Sequence, residues 1–130
     1  MSENQNGVYS HELQDVLNYM VDILVNEFPT DIFTPEYLMV AIFDTHNCHA
    51  NMILDNCLMS NNMEELKEIY MSVLKEHSKP ILKVNNNTKV EFDFELDKIL
   101  ETAKEERDKT NSNLVGTEHV LLSIINPKNN

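Results

Sequence analysis

Two ten-residue stretches constrain this chain more than anything else in it. They are Thr34-Pro35-Glu36-Tyr37-Leu38-Met39-Val40-Ala41-Ile42-Phe43 and Gly116-Thr117-Glu118-His119-Val120-Leu121-Leu122-Ser123-Ile124-Ile125. Each opens on helix-start chemistry, places a Glu in the first turn and then runs apolar. A helix that is apolar on most sides must be buried on most sides. Each stretch therefore predicts a central core helix, and two copies predict a duplicated unit. A second pair supports this: His11-Glu12-Leu13-Gln14-Asp15-Val16-Leu17 lines up with Phe94-Glu95-Leu96-Asp97-Lys98-Ile99-Leu100 at an offset of 83. The core pair is offset by 82, so a one-residue gap in the intervening loop is expected. Two helix-loop-helix units in the same order read as an internal repeat.

The rest of the chain is helical around those pairs. Ser10 is the expected N-cap of a first helix whose stripe is Leu13, Val16, Leu17, Met20, Ile23 and Leu24. Phe28-Pro29-Thr30-Asp31 ends it, and Ile32-Phe33 suits a staple contact ahead of the next cap. Thr34 with Pro35 starts the first core helix, through a hydroxyl cap and a proline at the first helical position. Cys48 to Cys57 predicts a third helix with Ala50, Ile53, Leu54 and Cys57 on its inner face. Asn62 is the expected cap of a fourth, running to about Lys79, with Leu66, Ile69, Tyr70, Val73 and Leu74 as its stripe. Residues 80 to 92 read as a linker in preference to a small hairpin. Asp93 caps a fifth helix built on Leu96, Ile99, Leu100 and Ala103, and Thr110-Asn111-Ser112-Asn113 ends it. Thr117-Glu118 starts the sixth, stopped by Asn126-Pro127. The reading is one domain of 1–130: repeat one at about 9–79, a linker at 80–92, and a partial repeat two at 93–130. The fold class is all-α.

Charge narrows the function. Up to residue 66 the chain carries eleven acids and no Lys or Arg; from Lys67 onward eleven acids meet ten bases. The net charge of −12 disfavours nucleic acid and anionic membranes, both of which need clustered cations. Solubility explains an acidic half, and so does attraction for basic partners. No apolar run approaches the ~20 residues of a membrane span, and the polar N-terminus does not resemble a signal peptide. Cys48 and Cys57 would lie about 13 Å apart on one helix, too far for a disulfide. Free thiols point to the cytoplasm.

Catalysis finds no motif. The two glycines, Gly7 and Gly116, lie far apart, so no phosphate loop of the Walker type exists and no cofactor is expected. His46, Cys48, His49 and Cys57 match no common zinc spacing. They read as a structural loop with Cys57 in the core, and no metal is expected.

The ordered set of motifs resembles the Clp ATPase N-terminal domain, or Clp repeat domain, over about residues 9 to 126. Gly116-Thr117-Glu118-His119-Val120-Leu121-Leu122 matches that family's signature closely; Thr34-Pro35-Glu36-Tyr37-Leu38-Met39 matches it more loosely. Ala50-x-x-Ile53-Leu54 resembles the third helix, and Leu96 to Arg107 the first helix of the second repeat. The resemblance implies two tandem four-helix motifs that bind protein substrates or adaptors. It also implies a Clp ATPase ring, in the same chain or another, that unfolds what is recruited for degradation. Some relatives read phosphoarginine through the Glu of each repeat. Carried over, the binding residues would be Glu36 and Glu118, with Ser10 assisting at the Glu36 site and Thr34, Thr117 and His119 nearby. A carboxylate at a helix start can hold a guanidinium while free N–H groups hold a phosphate. The plainer reading of the two Glu is helix-dipole compensation, about 0.3–1 kcal/mol each, and of His119 a partly buried polar contact. Tyr37 stands where the family has His, Thr34 where it has Gly, and Asp93 where phosphoarginine binders have a hydroxyl. The second repeat also lacks its last two helices. The alternative is therefore a stand-alone Clp-repeat interaction module, homodimeric, without an unfoldase.

Overall fold

The computed structural model describes residues 8–58, 60–78 and 91–125. Among them are six helices. Helix α1 comprises His11–Tyr19, a π-turn at Met20–Leu24 and a last turn Val25–Glu27; α2 is Pro35–Asp44, α3 His49–Cys57, α4 Ser60–His77, α5 Phe94–Lys109 and α6 Thr117–Ile125.

The repeat appears as two equivalent helix pairs, α1–α2 and α5–α6. Helix α2 is the centre: Tyr37 through Phe43 are all buried, as an apolar run on every face requires. Leu13, Val16 and Leu17 of α1 pack on it from one side. Leu96, Ile99, Leu100 and Ala103 of α5 bury the inner face anticipated for that helix. Burial of each such side chain stabilises the fold by roughly 1.5–3 kcal/mol.

Backbone hydrogen bonds join the pairs crosswise. The segment before α2 forms strand β1 (Ile32–Phe33), parallel to strand β2 (Glu91–Phe92) just before α5. Val115, just before α6, bridges Tyr9, just before α1, again in parallel. The bonds are equivalent: the Ser10 N–H donates to the Val115 carbonyl at 2.8 Å, and the Asp93 N–H to the Phe33 carbonyl at 2.9 Å. Ile32 and Phe33 thus form a strand, and Phe33 also packs across the cap, edge-on against Tyr37 with ring centroids 5.1 Å apart. Glu91 and Phe92, the end of the stretch read as a linker, form a strand paired to a distant segment. Residues 80–90 lie outside the described residues, as does the Asn126-Pro127 stop.

The one-residue gap is not in the loop. Helix α1 runs 17 residues from His11 to Glu27, and α5 runs 16 from Phe94 to Lys109. The extra residue is taken up by the π-turn, whose i→i+5 bonds enclose one more residue than an α-turn.

Caps follow the sequence in α1 and α5. Ser10 Oγ accepts the Leu13 N–H at 3.1 Å, and Asp93 Oδ1 accepts that of Leu96 at 2.8 Å. Helix α5 ends in a Schellman motif: Asn111 takes φ 57°, and the Ser112 N–H donates to the Arg107 carbonyl. Three other expectations need correction. Thr34 occupies the N-cap position of α2, but its hydroxyl accepts no capping bond. Helix α4 begins at Ser60, so Asn62 lies within it; of its stripe Leu74 is fully buried, whereas Ile69 and Val73 are exposed. Helix α3 turns Ala50 and Asn51 inward and leaves Ile53 and Cys57 exposed. The cause is polar: Asn51 Nδ2 donates to the carbonyls of Ile42 and Phe43, each at 3.0 Å, and this sets the rotation of α3.

Candidate protein-binding site

The crossed bridges decide which residues meet. Because Ser10 is bonded to Val115, the start of α1 stands beside α6 and Glu118, not beside Glu36. Ser10 is therefore at the second site, and its hydroxyl is occupied by its own helix. Asp93 and the first turn of α5 stand beside Glu36 in the same way.

Around Glu118 the space is filled by α3. The backbone N–H of His49 donates to Glu12 Oε1 at 3.1 Å, and His49 Nδ1 lies 3.1 Å from the same oxygen. His49 Nδ1 is also 3.8 Å from Glu118 Oε1, too long for a hydrogen bond. Among the described residues that buried oxygen accepts no hydrogen bond. The Glu118 carboxylate folds over Gly116, where a Cβ would come within 2.0 Å of Oε1; this is a physical reason for the glycine.

Thr117 and His119 lie in the core, 0% and 2% exposed. Thr117 Oγ1 accepts the Ala50 N–H at 3.0 Å, docking the start of α3. His119 Nδ1 accepts the Gly116 N–H at 2.9 Å, and Nε2 pairs with Thr110 Oγ1 at 2.9 Å. Tyr37, its counterpart, donates to the Phe28 carbonyl at 2.9 Å. Both side chains tie a core helix to the end of the helix before it. Tyr in place of His keeps that task.

Around Glu36 the equivalent space is open among the described residues. A groove of about 370 Å³ runs between α2 and α5. Met39, Tyr70, Phe94, Ile99 and Ile124 form its apolar lining; Pro35, Glu36, Glu95 and Lys98 complete it. Phe94 is 80% exposed. The Tyr70 hydroxyl is pushed above its ordinary range by burial and then by the Glu36 carboxylate. Thr34 is not among the lining residues; its carbonyl accepts the Tyr37 N–H. The sequence did not mark Tyr70, Phe94, Glu95 and Lys98 as site residues. One signal was there: Phe94 is apolar at the first position of a helix whose inner stripe begins at Leu96.

Cys48 is buried, and burial pushes its thiol upward; Cys57 is exposed. Among the described residues no group of three or more His, Cys, Asp or Glu is placed to hold a metal ion. No helix among them is long and apolar enough to cross a membrane.

The family model for the Clp repeat (R) N-terminal domain matches residues 8–130. The chain belongs to this family. A Clp N-terminal domain is a non-catalytic unit, typically a module that binds protein substrates or adaptors. Among solved structures, one from "preliminary structural investigations of a malarial protein secretion system" is similar to this Clp domain, with a TM-score of 0.69 at 20% identity. The match covers 93% of this chain and 78% of that one, and at that identity it speaks to the fold alone. A search of the curated proteins finds no match.

Proposed function

We propose that this Clp repeat domain recruits proteins through the Glu36 groove and passes them to a Clp ATPase ring, in the same chain or another, for unfolding and degradation. The observation that carries the reading is the difference between two equivalent places. Among the described residues the Glu118 place is filled by α3, whereas the Glu36 place is a groove with an apolar lining bordered by Glu36, Glu95 and Lys98. Such a surface fits an unfolded or adaptor segment that offers apolar side chains and a guanidinium. The acidic first half would steer basic segments toward it. Phosphoarginine fits less well, because the Asp93 carboxylate, at the neighbouring helix start, repels a phosphate. Any ATPase activity would reside outside this domain. The two free thiols support a reducing, cytoplasmic setting.

Calorimetry with an arginine-rich unfolded protein tests the assignment. Glu36→Ala is expected to weaken binding about tenfold, the scale of one charge-assisted contact. Glu118→Ala is expected to change it much less. His119→Ala should cost about 2–4 kcal/mol of stability, by orphaning the buried Gly116 N–H and opening a cavity, yet leave the folded protein's affinity intact. Equal loss in the two Glu variants, or none in either, would remove the groove as the site.

A further inference from the structure

Asn51 does more than set the rotation of α3. Its Nδ2 donates to the carbonyls of Ile42 and Phe43, which uses both amide hydrogens, and its Oδ1 accepts no hydrogen bond among the described residues. The residue is 6% exposed, and it lines a cavity of about 350 Å³ between α3 and the start of α4. A carboxamide oxygen so nearly buried is normally met by a donor, so this one marks where a donor enters. The rest of the lining says which donor. Phe43, at the end of α2, and Met63 of α4 give the cavity an apolar side. Asp55 and Glu64, both exposed, line it from α3 and α4 respectively. Lys67 also lines it, but its ammonium is paired with Asp44. Asp44, Asp55 and Glu64 thus share one ammonium. Water would satisfy the Asn51 oxygen alone. Carboxylates beside an apolar wall favour a donor that carries positive charge on a hydrocarbon stem.

We propose that the cavity between α3 and α4 is a subsite for a primary alkylammonium group, the chemistry shared by a lysine side chain and a small free amine. The ammonium donates to Asn51 Oδ1 and to the Asp55 and Glu64 carboxylates, so that its three hydrogens meet three acceptors. Its methylenes lie against Phe43 and Met63. The subsite is separate from the Glu36 groove, with which it shares no lining residue.

The probe is n-butylammonium, a lysine side chain without its backbone, titrated into the isotope-labelled full chain, with 1-butanol at equal concentration as the uncharged control. Working at pH 8 keeps the imidazole of His46, which also lines the cavity, from opposing the cation. Saturable shifts of the Asn51 side-chain amide and of the Asp55, Glu64 and Lys67 backbone amides are expected with the amine and not with the alcohol. Asp55→Asn/Glu64→Gln, two neutral changes at exposed positions, should weaken binding by roughly tenfold or more. The Asn51 signals of the free variant should stay where they are in the parent, which shows that α3 is still docked. N-acetyl-lysine N-methylamide then separates the two sources. Binding as tight as that of butylammonium assigns a lysine side chain of a protein; weaker binding assigns a free amine. A response without saturation, an equal response to butanol, indifference of the double variant, or shifts centred on Glu36 and Phe94 would each overturn the inference.

Discussion

At the scale of single residues, the polar contacts do most of the positioning. Tyr19 donates to Asp44 Oδ2 at 2.7 Å, and Lys67 pairs with the other carboxylate oxygen. One acid at the end of α2 thereby holds α1 and α4. Burial and then the Asp44 contact push the Tyr19 hydroxyl up to about 12; Asp44 likewise holds the Lys67 ammonium above its ordinary range. Both groups keep their protons more tightly folded than unfolded. Their contribution is complete below the unfolded tyrosine value of about 10 and is lost as pH rises toward 12. Thermal melts from pH 8 to 12 should therefore show a stability loss beginning near pH 10. Tyr19→Phe should be less stable than the parent at pH 8, with the gap narrowing by pH 12. A constant gap would show that the hydroxyl contributes nothing through its proton. The Asp44–Lys67 pair was not legible in the sequence, because nothing local specifies that residues 44 and 67 meet. The Glu12–His49–Glu118 contacts were hidden for the same reason.

At the scale of elements, caps and core faces were legible and helix rotation was not. Ser10 and Asp93 act within three residues of themselves, so their chemistry can be read directly from the chain. The buried faces of α2 and α5 follow from apolar periodicity alone. The rotation of α3 does not: an apolar stripe placed Ile53 and Cys57 inward, whereas the Asn51 amide, satisfied by two α2 carbonyls, turned them out. The two Asn51 bonds satisfy the last carbonyls of α2 and fix the rotation that leaves Ile53 and Cys57 outside. The π-turn of α1 was equally invisible, because the offset of 83 against 82 is silent about where the extra residue sits. Its placement is testable. Deleting Val21 should convert α1 to a regular helix of α5's length, with the later residues in register and a cooperative melt retained. Deleting Thr30 instead removes the hydroxyl that accepts the Ile32 N–H and donates to the Ile32 carbonyl, and should be the more destabilising. A Val21 deletion that fails to fold while the Thr30 deletion folds would return the gap to the loop.

At the scale of the whole molecule, the repeat was readable, but the way its halves join was not. Sequence symmetry pairs α1 with α5 and α2 with α6; only the backbone bonds reveal that each half lends its leading segment to the other. This crossing is what placed Ser10 at Glu118 and exposed Glu36 to α5. Among the described residues it also leaves the two Glu positions unlike, with α3 packed at Glu118 and a groove at Glu36. A consequence follows for the covalent chain. The two β-pairings and the α2–α5 packing join residues 8–78 to residues 91–125, so they would still hold the parts together if the backbone were cut at a site engineered between them. A nicked molecule should behave as a clasp whose two arms stay fastened. Fragments 1–79 and 91–130, produced separately, should each be largely unstructured by circular dichroism and regain helicity on mixing, with a midpoint that depends on concentration. A fragment 1–79 that folds alone would show that the second arm only rides on the first. If the clasp holds, this is one protein whose wholeness resides in its contacts and not in its peptide bond.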